Sequence, residues 1–149
     1  MGDDQFSDHA TNHANPFYVH PNDDPSLVLV TTILDGTNYT SWYREMKIAL
    51  ISKNKWKFVD GTFTEPAPTH LLYDIWVRCN NMVISWLRKS ISEDIKQSTL
   101  WINKAYIVWK NLENRFSQGD LFMISEAEDG STKQGNFDIS TNFTTFILI

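Results

Sequence analysis

Two adjacent acidic pairs, Asp23-Asp24 and Glu93-Asp94, are by type the residues of this chain best suited to general acid–base work. Carboxylates in unlike surroundings can hold and release a proton near neutral pH. Neither pair sits in a pattern that demands it. Asp23-Asp24 lies in a polar amino-terminal stretch, and Glu93-Asp94 stands in the first turn of a predicted helix, where acids are favoured by the helix dipole. His9 and His13 have the spacing of one helical face, but their segment is not helix-like and no second ligand pair adjoins them, whereas zinc takes three or four ligands. Cys79 is the single cysteine, so an internal disulfide is excluded, and its place in an apolar stripe predicts a buried thiol. The chain contains no Cys-x2-Cys, no Gly-rich phosphate loop and no nucleophile elbow. These residues predict no enzyme activity, no metal site and no cofactor.

Six tryptophans raise a different possibility, because aromatic faces beside cations stack single-stranded bases. The charge argues against it. At a net −5 and a sequence pI of about 5.2, the chain as a whole offers no phosphate-binding surface. Trp76, Trp86 and Trp109 also fall on apolar stripes, which assigns them to a core. With 149 residues and 42% hydrophobic content, one domain is expected, its interior lying between those rings.

The elements that would build this interior read as follows. Residues 1–25, rich in Asp, Asn, His and Pro, predict a flexible leader. Ser26 to Leu34 is a β-branched run closed by Asp35-Gly36, a short strand or extended segment ending in a turn. A first helix, capped by Asn38 or Thr40 and ending near Asn54, places Trp42, Met46, Ala49 and Leu50 on one face. A packed loop with Trp56 and Phe58 follows, and Pro66 and Pro68 forbid helix until after them. From Thr69 to about Lys89, Leu72, Trp76, Cys79, Val83 and Trp86 alternate steps of four and three along a central helix. Ser90-Ile91-Ser92-Glu93 reads as a capping box opening a short helix that ends near Leu100. Asn103 caps the next helix, with the stripe Ala105, Val108, Trp109, Leu112 and Phe116, and Gly119 stops it. The fold expected is all-α, a small bundle of about four helices with a leader and an extended segment before the first. After Gly119 the periodicity dissolves.

Several ordered motifs share a pattern. They are His20-Pro21 with Asp24-Pro25-Ser26-Leu27-Val28; Leu34, Gly36, Asn38-Tyr39 and Ser41-Trp42; Phe58-Val59-Asp60-Gly61; Trp76, Arg78-Cys79-Asn80, Met82-Val83 and Ser85-Trp86; and Trp109, Leu112 and Arg115 to Gly119. Over residues 15–120 the chain resembles the amino-terminal, capsid-like region of copia-type retrotransposon Gag polyproteins. The resemblance divides the chain into a leader (1–25), a Gag-like helical domain (26–120) and a divergent, truncated tail (121–149). It marks Tyr39, Trp42, Met46, Phe58, Trp76, Cys79, Val83, Trp86, Trp109, Leu112 and Phe116 as core and motif positions.

The resemblance implies a non-catalytic structural module that associates with further copies of itself. Contact with element RNA would be only indirect, since the basic knuckle region of such polyproteins is missing here. Neither a small-molecule substrate nor a membrane partner is expected. Met1 to Pro16 show no basic or apolar region of a secretory signal, and no apolar run approaches the roughly 20 residues that span a bilayer, so a cytoplasmic location is expected. Two alternatives stand beside the scaffold: a degenerate element fragment without present activity, and a co-opted host adaptor that binds protein or RNA.

Overall fold

The computed structural model describes residues 6–117; the tail at 121–149 and the Met1-Gly2 start lie outside them. The described part is all-α. Four helices, α1 (Tyr39–Ser52), α2 (Tyr73–Arg88), α3 (Glu93–Thr99) and α4 (105–117), are joined by loops and one 3-10 turn, Trp56–Phe58.

α1 buries Tyr39, Trp42, Met46 and Leu50, whose spacing of three and four makes one stripe. Its entry is built differently from the expectation. Asn38 occupies the N-cap position, but its side chain makes no cap. The amide instead accepts from the Asp35 N–H (3.1 Å) and donates to the Ile33 carbonyl (2.9 Å), tying the preceding turn. That turn needs Gly36, whose φ of +98° strains any residue with a Cβ. At the other end Asn54 adopts φ +60°, and the N–H groups of Asn54 and Lys55 return to the carbonyls of Ile51 and Leu50 at 2.9 and 2.8 Å. This is a Schellman closure with asparagine as the left-handed residue.

α2 is the central helix. Ile75, Trp76, Cys79, Asn80, Met82, Val83, Ile84, Trp86 and Leu87 are all buried, a wider band than the predicted stripe. The segment from Ser26 to Leu34 starts in a turn, bends at Thr32 and, among the described residues, forms one parallel bridge, Leu34 with Ile91. The Leu34 N–H donates to the Ser90 carbonyl at 2.8 Å and the Ser92 N–H to the Leu34 carbonyl at 2.9 Å. This pins the entry of α1 to the exit of α2.

The predicted capping box is displaced by two residues. Ser92, not Ser90, is the N-cap of α3, its hydroxyl accepting from the Ile95 N–H at 3.4 Å. Glu93 binds Gln97 instead of reaching back. Ser90 is buried, its hydroxyl accepting from the Trp42 indole (3.0 Å) and donating to the Leu87 carbonyl (3.0 Å). Asn103 does not cap α4 either. The buried Asn80 of α2 donates to the Asn103 carbonyl (2.9 Å) and accepts from the Ala105 N–H (2.8 Å), so the start signal of α4 comes from another helix.

Residues 6–25 are not a detached leader. Phe17 is buried and packs on Phe58 and Phe63, while the Asn15 amide accepts from the Phe17 N–H and donates to Asp8 and to the Phe6 carbonyl. The Trp86 indole donates to the Asp24 carbonyl at 2.8 Å, fastening the segment to α2. A polar composition hid this because Asn15 orders the strap internally while Phe17 and bonds from Asn54, Lys55, Lys53 and Trp86 dock it.

Candidate interaction surface

The groups that could do chemistry are engaged in holding the fold. Asp23 pairs with Lys53 at 2.8 Å, and Asp24 accepts the Ser26 N–H at 2.6 Å, an Asx turn. Glu93 and Asp94 stand in the first turn of α3. The His13 ring stacks on Tyr18 with centroids 4.4 Å apart. Cys79 is fully buried beneath the Phe17 carbonyl, and burial pushes its thiol up to about 11, so the thiolate needed of a nucleophile does not form near neutral pH. Among the described residues no three His, Cys, Asp or Glu side chains gather as metal ligands.

Of the core and motif positions, Tyr39, Trp42, Met46, Phe58, Trp76, Cys79, Val83, Trp86, Trp109 and Leu112 are buried. Phe116 is half-buried and packs over Gly36. The structure brings them together as a core, not as a site. Trp42 and Trp109 lie 5.4 Å apart between centroids, with Trp56 edge-on to Trp109 at 5.3 Å. A second group of rings, Phe17, Phe58, Phe63 and Trp76, closes the other side, and the Trp76 indole donates to the Phe63 carbonyl.

One tryptophan is left out of this interior. Trp101 is 77% exposed and its neighbour Leu100 is 51% exposed, on the loop between α3 and α4. Sequence periodicity could not assign Trp101, because it lies between helices and on no stripe. The loop that carries it is held from beneath. Arg88 of α2 donates through Nη2 to the carbonyls of Thr99 (2.9 Å), Leu100 (3.3 Å) and Ile102 (3.2 Å), and Ile102 is buried. Asn80 holds the Asn103 carbonyl on the far side. Tyr106 and Ile107 on α4 are partly exposed as well. A large ring displayed on a braced loop loses little conformational freedom when a partner covers it, which is the property of interface anchors.

The arrangement can be set against known proteins. Residues 20–67 match the family model of the Gag-polypeptide of LTR copia-type. The match covers about a third of the chain and includes the segment from Ser26 to Leu34, all of α1 and the 3-10 turn. No curated protein and no solved structure matches the chain. No helix among the described residues is long and apolar enough to cross a membrane.

Proposed function

We propose that this copia-type Gag-like chain is a non-catalytic scaffold module that associates with further copies of itself, with Leu100 and Trp101 at the centre of the contact. The observation that carries the reading is the exposed Trp101 on a loop braced by Arg88 and Asn80. Burying an indole of this size against a partner is among the largest single apolar gains a surface residue offers. The engagement of Asp23, Glu93 and Cys79 in structural roles supports the non-catalytic part.

Size-exclusion chromatography with light scattering, run on the full chain over a concentration series, tests the reading. The expected result is a mass that rises with concentration in the natural chain and stays monomeric in Trp101→Ala. The same variant should keep its denaturation midpoint, since an exposed side chain contributes within about 0.5 kcal/mol. A strict monomer at high micromolar concentration would remove the proposal.

A further inference from the structure

Lys55 is in an unusual place for a lysine. It follows the left-handed Asn54 that closes α1, and the side chain at this position ordinarily folds back onto the helix as an apolar contact. Lys55 does fold back and is only 2% exposed. Of its three N–H donors, one is taken by the Tyr18 carbonyl at 2.8 Å. It forms no ion pair among the described residues. Asp23, the acid whose charge acts on it, accepts from the Lys53 ammonium through Oδ1 at 2.8 Å. Burial holds the Lys55 ammonium below its ordinary value, opposed in part by Cys79 and the Asp23 charge, with the Lys53 charge a smaller effect in the same direction as burial. A buried cation whose nearby carboxylate is already paired with another lysine is further stabilised by any anion that can reach it.

The surroundings allow an anion in. A cavity of about 210 Å³ opens between the strap and the end of α1, lined among others by Lys55, Lys53, His13, His20, Asn15 and Asn54. At roughly 30 Å³ per water, that is room for about seven waters or for one tetrahedral oxyanion with part of its shell. Two lysines and two histidines line it against a single carboxylate, Asp23. The Nδ1 of His20 accepts from the Asn22 N–H, which leaves Nε2 as the protonated nitrogen of the neutral ring. The Asp23 carboxylate accepts from Lys53 through Oδ1 and from the His20 backbone N–H through Oδ2, which leaves the Lys53 ammonium further N–H donors.

We infer that this cavity is a binding site for a phosphate-type oxyanion, held by the Lys55 ammonium with Lys53 and His20 as further donors. The ligand class is inorganic phosphate or the phosphomonoester end of a small molecule. The inference stands independently of the scaffold reading, and it departs from the expectation that the module engages no small molecule.

Amide-resolved NMR titration of the full, isotope-labelled chain tests it, with inorganic phosphate in one arm, adenosine 5′-monophosphate in a second and chloride at matched ionic strength as the control. The expected result is saturable shifts confined to residues 13–23 and 53–55, with a Kd on the order of 1 mM or tighter. Equal affinity in the two arms identifies the phosphate group as the whole ligand; a nucleotide bound about 10-fold tighter extends it to a phosphomonoester. Lys55→Met should melt no lower than the natural chain in phosphate-free buffer and should weaken binding at least about 10-fold. Should that variant fail to fold, Lys53→Gln, which leaves Asp23 unpaired beside the cavity, should weaken binding by a similar factor. Shifts that match the chloride control, nucleotide binding without phosphate binding, or affinity unchanged in the folded variants would each overturn the assignment.

Discussion

Around Trp42 the interior is made of rings, whereas where the strap meets the end of α1 it is made of polar groups held by individual hydrogen bonds and one ion pair. Trp42, Trp109, Trp56 and Tyr39 interlock by shape, and the one polar atom of Trp42 is met by the Ser90 hydroxyl. A few residues away, Asn15, Lys55 and the Asp23 carboxylate are held by the Phe17 N–H, the Tyr18 carbonyl and the Lys53 ammonium. The first region gains from area removed from water and tolerates adjustment. The second gains little net free energy per bond and loses much when one partner goes. The ring-built region should therefore set how stable the molecule is, and the polar seam how it is shaped for a ligand.

The strongest way to break that contrast is Trp42→Ala. It should cost about 3–5 kcal/mol in chemical denaturation, the scale for truncating a buried large aromatic. A loss below about 1 kcal/mol would mean that the rings do not carry the stability.

Cys79 lies where the regions meet, and pH reads it. Its folded value, about 11, stands above the ordinary 9.0, so its stabilisation is complete below pH 9 and is lost as pH rises through 11. The two-unit difference corresponds to about 2–3 kcal/mol. Denaturation midpoints of the natural chain should fall over that window more steeply than those of Cys79→Ala; parallel curves would show that the thiol is not the group responsible.

Asn80→Ala should cost about 2 kcal/mol, because it strands the Asn103 carbonyl and the Ala105 N–H together. A thermal melt of the variant checks it, and a change within error would place water, not Asn80, at the start of α4. Smallest of these is Lys53→Ala, at about 1 kcal/mol. Its side chain is a third exposed and solvent screens the pair, although the Asp23 side chain is only 4% exposed. A loss as large as that of Trp42→Ala would erase the distinction between the regions.

The same contrast marks what could be read in the sequence. Leu72, Trp76, Cys79, Val83 and Trp86 were legible as one buried stripe, because apolar periodicity is a local signal and the structure buries all five. The polar assignments failed where the partner is distant in sequence. Ser90 has the spacing of a cap, yet Trp42, forty-eight residues away, claims its hydroxyl. Asn103 looks like a cap, yet Asn80 does the capping. The strap looked too polar to dock, and its docking rests on the Phe17 ring and on bonds to Tyr18, Asp23 and Asp24 from residues far along the chain. Lys55 carries no local sign of burial; only the left-handed turn at Asn54 sends it inward. The exposure of Trp101 was likewise invisible, since a loop residue has no face to be assigned to.

Asn80 also sets an order of events. The first turn of a helix is the costly part of making it, and the Ala105 amide finds its acceptor on a residue twenty-five positions earlier. α4 cannot be securely nucleated until α2 stands beside it, so the two helices belong to one cooperative unit. In hydrogen exchange the Ala105 amide should open together with the amides of α2 and not fray like an ordinary helix end.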